Sequence, residues 1–97
     1  MVKFGLLARV VAKPGKEQAV EDFLKSALPL AQAESETISW FAIKIDRSTF
    51  GIFDTFENEE GREAHLASEI AKALMANASE LLAQDPVIEK VDILAAK

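Results

Sequence analysis

The sequence predicts an α+β domain in which helices cover one face of a four-stranded antiparallel sheet. Three observations predict it. Val2–Ala12, Thr37–Asp46, Thr49–Glu57 and Val87–Ala95 carry apolar residues at the two-residue period of strands. Glu17–Glu34 and Glu59–Gln84 carry them at helical spacing. The joints hold turn chemistry, and the resulting order βαββαβ is the ferredoxin-like arrangement. A chain of 97 residues makes one domain, 1–97, with a single modest core.

In chain order, Val2–Ala12 puts Val2, Phe4, Leu6, Ala8 and Val10 on one face, and Leu7 and Val11 with Lys3 and Arg9 on the other. A strand apolar on both sides is an interior strand. Lys13-Pro14-Gly15-Lys16 turns the chain; with one glycine and no GK[ST] it is not a phosphate loop. Glu17–Glu34 has an apolar stripe of Val20, Phe23, Leu24, Ala27, Leu28 and Ala31 opposite Glu17, Glu21, Asp22 and Lys25. Pro29 removes a hydrogen bond inside that pattern, which predicts a kink near Lys25–Ser26. Thr37–Asp46 sets Ile38, Trp40 and Ala42 with Lys44 against Phe41, Ile43 and Ile45, and Arg47-Ser48 leads directly into Thr49, so the second and third strands form a hairpin.

Thr49–Glu57 carries Phe50, Ile52, Asp54 and Phe56 on one face, a single carboxylate among apolar groups. Asn58 is an N-cap, with Glu59 and Glu60 in the first turn where the helix dipole favours negative charge. An unbroken helix from Glu59 to Gln84 would be about 39 Å long, longer than the sheet it must cover. A break is therefore expected between Ala67 and Ser68, with Ser68 capping a second segment that holds Ile70, Leu74, Leu81 and Leu82. Asp85-Pro86 stops the helix. The last strand sets Val87, Val91 and Ile93 against Ile88 and Leu94, with Lys90 and Asp92 among the latter.

All four strands are apolar on both faces while the helices cover one. A second copy of the chain is the expected cover for the other face, giving a sheet-to-sheet homodimer. A net charge of −5 argues against nucleic acid or an anionic membrane as partner. Without cysteine there is no disulfide, thiolate nucleophile or zinc–sulfur site. The N-terminal residues lack the long apolar core of a signal peptide, and no run approaches the roughly 18 apolar residues of a membrane span. The expected location is the cytoplasm.

The chemistry-bearing candidates are few. His65 is the only histidine, at the border of the apolar stripe. It either points into the space between helix and sheet, pairs with Glu69 one turn on, or is solvated. Trp40, the only tryptophan, is a core or interface aromatic, or a flat wall for a ring-shaped ligand. One His and no Cys give no metal-ligand cluster, and no GxSxG elbow is present.

The strand order, the Pro14-Gly15 turn, and the pattern from Phe50 through Ile52, Asp54 and Phe56 to Ala64-His65-Leu66 resemble the antibiotic biosynthesis monooxygenase family of dimeric α+β barrels, over nearly the whole chain. Asp54 stands where that family usually has Glu and Phe56 where it often has Trp; His65 matches its commonest histidine, and Glu69 replaces a second one. The resemblance implies a pocket between sheet and helices and, as in some members, oxidation of an aromatic, quinol-like or polyketide substrate by O2 without metal or flavin. The family's haem-degrading members carry an Asn, a Trp and a His at positions that align with Ala8, His65 and Met75, so haem degradation is disfavoured here.

A cofactor-free oxidase of this type needs a base, a dry cavity and stabilisation of an anion. His65 is the expected base and Asp54 its orienter or relay. Trp40, Phe41 and Phe53 are the expected walls, and Arg9 an anion partner. The competing readings are a non-catalytic dimer that binds a small hydrophobic or aromatic molecule, and an isomerase of a small carbonyl compound.

Overall fold

A computed structural model describes residues 2–97. Among them, β1 (Phe4–Val11), β2 (Thr37–Lys44), β3 (Thr49–Phe56) and β4 (Val87–Asp92) form one antiparallel sheet in the order β2-β3-β1-β4. Helices α1 (Glu17–Ser26), α2 (Leu28–Gln32), α3 (Glu59–Leu66) and α4 (Glu69–Leu81) pack on one of its faces. This is the ferredoxin-like α+β arrangement expected from the order of elements.

The register decides which residues meet the helices. Residues directly opposite one another across an antiparallel pair share a face. Leu6 lies opposite Asp54 and Lys90, and Ala8 opposite Ile52 and Ile88. Leu7, one residue along, lies opposite Phe53 and Glu89, and Phe53 in turn faces Phe41 on β2. The helix-facing set is buried: Val10, Phe50, Ile52 and Phe56 are at most 5 % exposed. With Val20 and Leu24 of α1, Leu74 of α4 and Leu82 beyond it, most of these residues form the main core; Ala27, Ala31 and Ile70 form a smaller one, and Trp40 packs against both. Each large apolar side chain buried this way contributes about 1.5–3 kcal/mol.

The helical punctuation follows local chemistry. Glu17–Glu34, expected as one kinked helix, is two helices that meet at Ala27. Pro29 falls in the first turn of α2, where its missing N–H has no intrahelical partner to lose. Leu28, assigned to the buried stripe, is 44 % exposed because the new helix has its own phase. Asn58 caps α3 by accepting from the Gly61 N–H at 2.8 Å, and Ser68 caps α4 by accepting from the Ala71 N–H at 3.4 Å, so the expected break is present. Replacing Asn58 with Ala should lower stability by about 1 kcal/mol, read as a fall in the urea midpoint at unchanged slope.

The strand and helix ends are shorter than periodicity suggests. β2 stops at Lys44 because the N–H groups of Ile45 and Asp46 both turn to the Thr49 carbonyl. Asp46 then tightens the hairpin by accepting from the Ser48 and Thr49 N–H groups. α4 stops at Leu81, not Gln84, because the chain returns to the sheet: Lys13 N–H donates to Leu81 O and Ala83 N–H to Val11 O. β4 ends at Asp92, and Leu94 is 92 % exposed.

Candidate functional site

Asp54 is the one acidic residue on the helix-facing side of β3, and it is 1 % exposed. His65 reaches it from the last turn of α3, with Nε2 2.8 Å from Asp54 Oδ2. The ring's other nitrogen, Nδ1, lies 2.6 Å from Oε1 of Glu34, in the loop between α2 and β2. Glu34 Oε1 also accepts from Thr37 Oγ1 at 2.7 Å. One imidazole is thus held between two carboxylates, and the tilted Phe56 ring stands 5.5 Å from it, centroid to centroid.

The two contacts differ in kind. Nδ1 and Glu34 are aligned as a hydrogen bond. The approach of Nε2 to Asp54 is a close ion-pair contact without that alignment, and neither Asp54 oxygen has a donor in hydrogen-bonding geometry among the described residues. A buried carboxylate in that state is unusual, since such groups are nearly always satisfied. The nearby buried cation does not serve it: Arg62 Nη1 donates to the carbonyls of Gly5 and Val91 at 3.4 and 3.3 Å, and its guanidinium lies 5.1 Å over the Phe4 ring.

Burial alone drives the His65 imidazole toward its neutral form. The close Asp54 contact, the Glu34 hydrogen bond and the negative charge of both carboxylates outweigh that and raise its pKa above the ordinary 6.5. The ring's contribution to folding is complete below the unfolded value and is lost as pH climbs through the raised folded one.

Asp54 and His65 close the floor of a cavity of about 360 Å³, within the range that holds small ligands. The rest of the lining is almost wholly apolar: Leu6 and Ala8 of β1, Ile52 of β3, and Ile70 and Leu74 of α4 form the walls, with Lys72, Met75 and Ile88 also contributing. Met75 and Ile88 are 56 % and 42 % exposed and mark the rim. No group of three or more His, Cys, Asp or Glu side chains among the described residues is arranged to hold a metal ion. No helix among them is long and apolar enough to cross a membrane.

A solved structure of a protein of unknown function from Nitrosomonas europaea, NE2512, is 61 % identical to this chain; the match covers 100 % of this chain and 94 % of that one, with a TM-score of 0.97. This chain belongs to the NE2512 family. More distant structures share the fold alone. One is described as a candidate antibiotic biosynthesis monooxygenase from Nitrosomonas europaea, at 11 % identity and TM-score 0.82 over 95 % of this chain and 90 % of that one. Another, described in the same way, comes from Caulobacter crescentus, at 18 % identity and TM-score 0.79 over 97 % and 92 %. No family model matches the chain, and no curated protein matches it.

In this NE2512-family chain, the six residues singled out from the sequence fall in three places. His65 and Asp54 are brought together. Trp40 shares their side of the sheet and pairs with Asp54 across strands, but it lines a different, open cleft with Leu28, Ala31, Gln32, Thr37 and Ile38. Phe41, Phe53 and Arg9 lie on the opposite face and do not line the cavity: Phe53 and Phe41 follow Leu7 in register, and Arg9 sits opposite Gly51. The reason is strand parity, because neighbours such as Phe53 and Asp54 must point to opposite sides. Glu34 was not singled out, and the partner expected for His65 on its own helix, Glu69, pairs with Lys72 instead. Nothing local marks Glu34, since its meeting with His65 depends on how α2 and α3 pack.

Proposed function

We propose that the cavity takes a small, mostly apolar molecule with one acidic hydrogen and removes that proton, as a cofactor-free monooxygenase of the antibiotic biosynthesis type does. The observation that carries this reading is the buried imidazole–carboxylate pair at the floor of an otherwise apolar cavity. His65 is the base and Asp54 the relay on its cavity side. A buried site strengthens the attraction between the ionised substrate and the imidazolium that forms. An electron-rich hydroquinone or anthrone, once ionised, can pass an electron to O2. In the oxidation of an anthrone methylene, one oxygen atom ends in the new carbonyl and the other leaves as water, so no metal or flavin enters the balance.

We also propose that the chain works as a homodimer through the sheet face that the helices leave open. Phe41, Ile43 and Val87 on that face are 56, 42 and 46 % exposed. Together with Leu7, Phe53 and Val91 they make an apolar layer that a second copy would cover.

The test is oxygen uptake with a panel of hydroquinones and anthrones, comparing wild type with Asp54→Asn, which keeps the shape and removes the charge. The expected result is uptake that falls about 100-fold or more in the variant, the usual scale of a lost acid–base group. Turnover of a carbonyl substrate without oxygen consumption would point to an isomerase. Thermal shifts without any turnover would point to a binding protein.

A further inference from the structure

Glu34 lies outside the cavity, yet it makes the best-aligned contact the histidine has. The ring forms part of the wall between the cavity and a second, open hollow of about 260 Å³ on the other side, which Glu34, Glu36, Gly61 and Ser68 help to line. The loop that carries Glu34 comes close to α3 because residue 61 is glycine: a Cβ there would stand 3.3 Å from Glu36 Cβ and 3.4 Å from the Glu36 carbonyl oxygen. Thr37 Oγ1 holds the same Glu34 oxygen that the ring uses.

We propose that Glu34 is a positioning residue for the acid–base pair: it holds the Nδ1–H of His65 outward, so that Nε2 is the nitrogen that takes and returns a proton beside Asp54. A carboxylate has no hydrogen to donate, so the Nδ1 contact requires the proton on Nδ1. The neutral ring is then bare at Nε2, and its 2.8 Å contact with Asp54 is held by a proton between them, on the Asp54 oxygen while the ring is neutral and on Nε2 once it is charged. A proton leaving a cavity ligand breaks its bond to the ligand, passes through an Asp54 oxygen, and forms the Nε2–H bond; no electron changes hands. The resulting imidazolium sits between two carboxylates, and the return step is the reverse. The other charged groups bordering the two hollows that meet at the ring are Glu36 on the outer side and Lys72 on the cavity side. This inference rests on the proton-accepting reading above, but its test does not depend on turnover.

His65 is the chain's only histidine, so protein made with isotope-labelled histidine gives one set of imidazole resonances, followed by nuclear magnetic resonance against pH. In wild type the neutral ring should be the Nδ1–H form and titrate above the ordinary range. Glu34→Ala should switch the neutral ring to the Nε2–H form and move the titration to lower pH. Glu34→Gln keeps an acceptor oxygen but no charge; it should retain the Nδ1–H form while the titration still moves down. If Glu34→Ala does not fold, judged by its amide spectrum, the Glu34→Gln titration decides. The proposal is overturned if the wild-type neutral ring carries its proton on Nε2, or if neither variant moves the titration. Absence of oxygen uptake with every panel compound would sink the oxidase reading and leave this result standing.

Discussion

Replacing His65 with leucine, a side chain of similar bulk, should remove about 3–5 kcal/mol of folding stability, the cost of breaking a buried ion pair from one side. The loss is not one of packing. Asp54, 1 % exposed, would be left charged in an apolar cavity with no partner, while Glu34 keeps Thr37 and some access to water. The deficit should shrink as pH climbs through the raised pKa of the His65 imidazole, where the wild-type ring itself loses the charge that serves Asp54. Adding Asp54→Asn to the same chain should return much of the stability, and a double-mutant cycle by urea unfolding measures the coupling. A His65→Leu protein as stable as wild type would show that the pair carries no such strain. A small domain has only about 5–15 kcal/mol in total, so this one substitution would leave the fold marginal.

Phe41→Glu should convert the particle from a dimer of two 10.6 kDa chains to single 10.6 kDa chains, read by sedimentation at micromolar concentration. Phe41 is 56 % exposed on one chain, so the monomer's own core does not need it. In a twofold interface each substitution occurs twice, and introducing charge into an apolar contact costs several kcal/mol without a partner. The circular dichroism of the variant should remain that of a folded protein. A wild type that sediments as a single chain under the same conditions would remove the proposed dimer and leave the outer apolar layer to another partner.

How much of this was legible in the sequence depends on whether the signal is local. The break at Ser68, the cap at Asn58 and the hairpin at Arg47-Ser48 come from side chains acting on their own backbone, and they fall where the residues place them. The pairing of Asp54 with His65 was legible because one carboxylate interrupts an apolar strand face just before a helix with a border histidine. Strand parity should also have separated Phe53 from Asp54, since adjacent strand residues cannot line one cavity. The role of Arg9 was not decidable until the register placed it opposite Gly51. Glu34 was beyond reach. It is the last residue of what reads as an amphipathic helix, and its contact with His65 spans 31 residues.

The tethering of α4 has a consequence for traffic. Just before its start, α3 is fastened to the carbonyls of Gly5 and Val91 by Arg62; just past its end, backbone bonds join it to β1 and to Lys13. A rod fixed at both ends does not swing away like a flap, and the exposed rim of the cavity is set by the flexible thioether of Met75 and the stiffer branched chain of Ile88. If the cavity takes a ligand as proposed, selection by girth would fall at that rim, before the molecule meets the imidazole.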